Sequence, residues 1–113
     1  MQHVEYIQLP HYHDLKLQAP RFATEKAAGL DLHACISQPL CLAPGDCQLV
    51  PSGIALFIRD ANYCGLIYPR SGLGHKHGIV LGNGVGVIDA DYQGEILISC
   101  YNRSPSTYTL EPG

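Results

Sequence analysis

The sequence has no basic excess. Seven Lys and Arg stand against ten Asp and Glu, a formal charge of −3 with a pI near 6.0, so the chain lacks the electrostatic footprint that a long nucleic acid requires of its partner. A single nucleotide carrying a metal ion is compatible with that balance. No apolar run approaches the roughly 20 residues that span a bilayer, and Met1-Gln-His-Val-Glu5 has neither the basic start nor the apolar stretch of a secretion signal. The expectation is a cytoplasmic protein with no membrane and no nucleic-acid partner. The five cysteines, Cys35, Cys41, Cys47, Cys64 and Cys100, are odd in number and include no Cys-x-x-Cys pair, which argues against a disulfide framework and a zinc knuckle and for structural thiols. No window sustains a helical period for more than a few residues, and there are no internal repeats or low-complexity tracts.

What is present is punctuation. Eight prolines and twelve glycines separate short segments rich in Val, Ile, Leu and Tyr, the signature of an all-β chain. Strands are expected over residues 4–9, 30–34, 38–42, 48–51, 53–58, 63–69, 79–83, 85–89, 95–102 and 107–110, a count that suits a jelly roll or sandwich. Residues 71–75 read as a single helical turn, and residues 6–26, with Pro10 and Pro20, as an extended surface segment. At 113 residues the chain is expected to form one domain over residues 1–113, small enough that oligomerisation would help it bury surface.

Three segments concentrate groups suited to chemistry. The first is Leu81-Gly-Asn-Gly-Val-Gly-Val-Ile-Asp-Ala-Asp-Tyr-Gln-Gly-Glu95, read as a glycine-punctuated hairpin. Asp89 ends the apolar run Val87-Ile88, so partial desolvation is expected, which suits a base that orients and deprotonates one water. Tyr92 adds a flat, rigid face. In the second, Pro69-Arg-Ser-Gly-Leu-Gly74, Arg70, Ser71 and Gly72 supply in succession the charged fork, hydroxyl and free amide that a phosphate accepts. The third, Ala28-Gly-Leu-Asp-Leu-His-Ala34, sets Asp31 opposite its apolar neighbours. Taken singly, each has a plainer reading: a solvated arginine after a strand, a turn-capping aspartate, a core tyrosine, an acid on a wet face. His75 and His77, like His3, His11 and His13, are read as surface or subunit-contact residues, since two imidazoles without a third ligand make a poor metal site.

Taken together and in this order, the three segments resemble the first three signature motifs of the trimeric dUTP pyrophosphatases (dUTPases), in bacterial style. The resemblance implies a jelly-roll-like β fold, a homotrimer with shared active sites, and hydrolysis of dUTP to dUMP and pyrophosphate with Mg²⁺. It implies Asp89 as the general base. Arg70, Ser71 and Gly72 would contact the phosphates, and Tyr92 would pack under the deoxyribose and exclude a 2′-hydroxyl. Asn83, with the backbone of Gly86, Val87, Ile88 and Leu97, would read uracil, with Gly86 where bulk would close the slot. Asp31 would lie near Mg²⁺ through water. In the family the chain continues into a Gly-Asp/Glu-Arg-Ile-Ala-Gln motif and a glycine-rich arm, whereas Leu110-Glu-Pro-Gly113 reaches only the first residue of the fourth motif. Residues 1–113 alone are therefore expected to be C-terminally incomplete and weak in hydrolysis. Two alternatives remain: a dCTP deaminase-like enzyme, whose catalytic glutamate would align with Ser99, and a trimer that binds nucleotide without turnover.

Overall fold

The computed structural model describes residues 3–113. Eight strands and two short helices follow one another as β1 (Glu5–Gln8), α1 (Pro10–Asp14), β2 (Leu40–Leu42), β3 (Cys47–Phe57), β4 (Gly65–Ile67), α2 (Ser71–His77), β5 (Ile79–Leu81), β6 (Gly86–Ile88), β7 (Glu95–Asn102) and β8 (Tyr108–Leu110). A four-stranded sheet in the order β1-β3-β7-β5 is faced by two ribbons, β2-β8 and β4-β6. All described pairings are antiparallel. The fold is mostly β and jelly-roll-like, and among the described residues the sheets do not close into a barrel.

Alternation along the long strands explains the layers. Val50 on β3 and Cys100 on β7 point inward and meet Leu42 of β2 and Ile79 of β5 in one buried cluster, sealed by Tyr108 and Leu110 of β8. A second cluster of Tyr12, Cys35 and Ile54 lies beyond the first, flanked by Leu32 and Leu56.

The two clusters are joined through a bulge. Pro51 pairs with Leu97 and Ala55 with Glu95, so four steps on β3 oppose two on β7. Gly53 sits inside the bulge at φ +70°, and a Cβ there would lie 2.7 Å from Tyr12 Cδ2 and 2.8 Å from Cys35 Sγ. Only glycine satisfies both demands.

The sequence-based expectations meet four corrections. Residues 6–26 are not merely an extended surface segment: Pro10, preset for a helix start, opens α1, and Tyr12 is fully buried with its hydroxyl bonded to the Gln18 carbonyl. Residues 30–34 form no strand; beyond one bridge between Phe22 and Leu30 the segment is tied by single bonds, such as Cys35 N–H to the Pro51 carbonyl at 2.8 Å. One bulged strand, Cys47–Phe57, stands where two were expected over residues 48–51 and 53–58. The single turn expected at residues 71–75 extends to a seven-residue helix, closed by Gly78 in the left-handed conformation.

Candidate functional site

β6 pairs with β4 alone, Gly86 opposite Ile67, Val87 opposite Leu66 and Ile88 opposite Gly65. Its other edge is therefore an unpaired row of main-chain donors and acceptors. The glycine-rich segment is not a ladder hairpin, because β5 belongs to the four-stranded sheet and β6 to the ribbon. The turn between them is held by Gly84 N–H to the Leu81 carbonyl at 3.1 Å and Gly82 N–H to the Ser99 carbonyl at 3.0 Å. Asn83 stands exposed at its tip.

Asp89 follows β6 directly and starts a turn closed by Tyr92 N–H to the Asp89 carbonyl at 3.0 Å. Its side chain is exposed in the single chain, where the apolar run before it implied partial desolvation; in the single chain no neighbouring element covers it. Tyr92 folds back so that its hydroxyl donates to the Glu95 carbonyl at 2.7 Å. The ring crosses Gly94, whose absent Cβ would lie 2.8 Å from the tyrosine oxygen. Gly94 is thus required for space rather than for conformational freedom. At Gly86 a Cβ would also meet Ile67 Cβ at 3.1 Å. Leu97 on β7 is 47% exposed.

Arg70 precedes α2 in extended conformation and reaches Asp31, Nη1 to Oδ2 at 3.2 Å. Ser71 and Gly72 are exposed in the first turn. This phosphate-type constellation opens from the Ile67 end of the β4-β6 ribbon, whereas Asp89 leaves from the Ile88 end. One chain therefore brings Arg70 to Asp31 and Asp89 to Tyr92, and keeps the two pairs apart. A hollow of about 210 Å³ between the layers is mostly apolar, with Arg70 and Asp31 among its lining residues; Asn83, Asp89, Tyr92 and Leu97 do not line it.

Among the described residues no three metal-ligating side chains cluster, His75 and His77 included. The donor set fits a hard cation that keeps most of its water and meets one carboxylate, Asp31, beside an anion-binding arginine. Ser99, where a deaminase would need a carboxylate, shares a 3.2 Å contact with Cys47 Sγ. All five cysteines are free, Cys35 and Cys100 buried. Burial pushes both thiols above their ordinary value, with Glu95 adding to the effect at Cys35 and Cys47 at Cys100.

The sequence reading missed His11 and Glu95. His11 Nε2 lies 2.7 Å from Glu95 Oε1, and the same oxygen accepts the Gly53 amide at 2.9 Å. The available signal was an acid opening the otherwise apolar run Glu95-Ile-Leu-Ile98.

Comparison with known proteins agrees with this geometry. The dUTPase family model matches residues 16–113. The chain belongs to the dUTPase family. Over 94 residues it is 61% identical to the deoxyuridine 5′-triphosphate nucleotidohydrolase of Alcanivorax borkumensis, covering 83% of this chain and 63% of that protein. It is 58% identical over 98 residues to that of Thiobacillus denitrificans, covering 87% and 67%. The chain thus spans about three fifths of the length of the first relatives it matches, 61 to 63%. Among solved structures, the dUTPase of Streptococcus mutans superposes with a TM-score of 0.77 at 30% identity, over 95% of this chain and 85% of that one. The dUTPase of Staphylococcus aureus phage phi11, at 20% identity, shares the fold with a TM-score of 0.81 over 98% and 83%. No helix among the described residues is long and apolar enough to cross a membrane.

Proposed function

We propose that the chain, as one dUTPase-like domain over residues 1–113, hydrolyses dUTP to dUMP and pyrophosphate in the cytoplasm, which limits uracil in DNA and supplies dUMP for thymidylate synthesis. The observation that carries the reading is the arrangement of seven consecutive residues: the unpaired main-chain edge of β6 runs directly into Asp89, and the next turn delivers Tyr92. Base reading, water activation and sugar packing are contiguous there.

In this reading uracil lies along the free edge of Gly86, Val87 and Ile88, with the Asn83 side chain and the Leu97 backbone completing its contacts. A slot lined by main chain has no room for thymine's methyl group and the wrong donor pattern for cytosine's amine. Tyr92 stacks under the deoxyribose and occupies the place of a 2′-hydroxyl. Asp89 takes a proton from a water whose oxygen bonds to the α-phosphorus, the bond from that phosphorus to the bridging oxygen breaks, and pyrophosphate leaves with the electron pair. Arg70, Ser71 and Gly72 hold the phosphates. Mg²⁺, when bound through the triphosphate, neutralises charge on its oxygens, and Asp31 would hold its hydration shell.

The site is proposed to be shared in a homotrimer. Two observations support this: Arg70 and Asp89 lie at opposite ends of one ribbon, and Leu66 and Val87, paired across that ribbon, are 51% and 58% exposed, an apolar pair that a partner subunit would cover.

Titration of the chain with dUTP, UTP, dCTP and dTTP in Mg²⁺, with product analysis, tests the reading. Preference for dUTP with slow release of pyrophosphate is the expected result. Ammonia from dCTP would move the reading to a deaminase, and tight nucleotide retention without any product would leave a binding trimer.

A further inference from the structure

We infer that His11 and Glu95 are positioning residues for Tyr92, and that through it they set how strongly the site prefers deoxyribose to ribose. The consequence for the sugar rests on the function proposed above; the coupling itself rests on contacts within the chain.

Among the described residues the Tyr92 side chain is tethered through its hydroxyl, which donates to the Glu95 carbonyl at 2.7 Å. Where the ring lies is therefore decided by where that carbonyl lies. Glu95 is the first residue of β7, and its pairing with Ala55 is the last rung of the β3-β7 ladder, beyond the irregular stretch from Pro51 to Ala55. A terminal rung next to a bulge is the weakest part of a ladder. The side chain of Glu95 compensates. Its Oε1 accepts the Gly53 amide at 2.9 Å from the bulge itself and meets His11 Nε2 at 2.7 Å from α1. The imidazole faces a carboxylate acceptor, so Nε2 carries the hydrogen. The Glu95 side chain is 23% exposed and that of His11 42%, so the bond to the Gly53 amide is the better sheltered of the two.

The ring is 44% exposed, so its hydroxyl end is fixed by the Glu95 carbonyl and by its close approach to Gly94. Gly94 leaves room for the tyrosine hydroxyl and nothing more, since a Cβ would lie 3.0 Å from Cζ. A displaced Glu95 carbonyl must carry the ring with it or release the hydroxyl. Steric exclusion of a 2′-hydroxyl depends more steeply on position than stacking does, so a small displacement would relax exclusion more than it weakens stacking. Notably, α1 precedes the family-matched segment, which begins at residue 16. An element outside that segment thus reaches the sugar platform through two side chains.

The test uses the whole chain labelled with ¹³C-tyrosine, its Tyr92 ring signal assigned with Tyr92→Phe, alongside competitive titrations with α,β-imido analogues of dUTP and UTP. His11→Ala and Glu95→Ala are expected to shift the Tyr92 ring signal and to reduce the deoxy-over-ribo preference by about threefold to tenfold. Glu95→Gln keeps an oxygen for both bonds, so it is expected to restore ring signal and preference to near wild-type values. In a Tyr92→Phe background, His11→Ala is expected to change the preference no further, because both act through the same hydroxyl tether. An unmoved ring signal in folded His11→Ala, a Glu95→Gln as damaging as Glu95→Ala, or additive effects with Tyr92→Phe would each overturn the coupling. Should Glu95→Ala fail to fold, His11→Ala and Glu95→Gln decide the matter. Equal affinity of the wild-type chain for the two analogues would overturn the proposed substrate instead, and the ring signal would still judge the tether.

Discussion

Arg70 and Asp89 leave opposite ends of the same β4-β6 ribbon, Arg70 three residues beyond the Ile67–Gly86 pair and Asp89 one residue beyond the Gly65–Ile88 pair. At about 3.4 Å per residue, the six steps between them amount to roughly 20 Å if both continue extended. In the homotrimer proposed above, a nucleotide held by both would draw them from different copies of the chain.

Subunit complementation follows. Arg70→Ala and Asp89→Asn chains are each expected to be inactive alone. Mixed in equal amounts, unfolded and refolded together, they are expected to recover about a quarter of wild-type activity, since random assembly pairs an intact Arg70 with an intact Asp89 at about one site in four. No recovery on mixing would place both residues in one chain's site and require the ribbon to bend.

Asp89→Asn by itself is expected to bind dUTP while turnover falls by roughly 10²-fold or more, the scale of a general base. Single-turnover kinetics beside a binding titration separate the two quantities. Near-normal turnover would assign the base elsewhere.

Gly53→Ala tests the bulge. The residue sits at φ +70°, and the added carbon would stand 2.7 Å from the Tyr12 ring and 2.8 Å from Cys35 Sγ. Backbone strain and overpacking together are expected to cost about 2–4 kcal/mol, read as a lower urea midpoint with unchanged slope. A midpoint within experimental scatter of wild type would show that α1 moves aside freely.

Stability is expected to fall on the alkaline side. Burial raises the thiols of Cys35 and Cys100 above 9.0 and the Tyr12 phenol above 10.0. As pH rises, the unfolded chain loses these protons first, so between the unfolded and folded pKa values it binds fewer protons than the native state, and stability declines. The contribution is complete below the unfolded values and disappears upward from about pH 8.5. Urea midpoints at neutral and alkaline pH are expected to converge in a Cys35→Ala/Cys100→Ala chain, whose remaining slope belongs to Tyr12. An unaltered slope would locate the titration in other groups.

The sequence disclosed those features that local rules control. Alternation and turn residues placed β1, β7 and β8 within a residue or two, because their inward faces are continuous and their ends carry Pro, Gly or Asn. It misread whatever depends on a distant partner. Tyr12 looks like a surface residue until Gly53, far along the chain, opens the space it fills. Residues 30–34 alternate as a strand does, yet no neighbouring strand is in place to complete the ladder. The three motifs identified Arg70, Asp31, Asp89 and Tyr92 as special, and only the resemblance they carry, not their spacing, implied that one chain would divide them between two places. His11 and Glu95 carry no motif at all, and only the fold brings residues 84 positions apart into contact.

The bulge in β3 also fixes which insertions the strand can tolerate. Four steps against two is a surplus of two residues, an even number, so Val50, Ser52 and Ile54 all remain on the buried side of one strand. Side-chain direction along a strand is a matter of parity. Removing Ser52 and Gly53 as a pair would shorten the strand and keep the downstream half facing the core. Removing either alone would turn Ile54 away from its buried cluster and exchange the two faces of everything up to Phe57. The strand therefore counts its residues in twos, and length variants of this protein should respect that arithmetic.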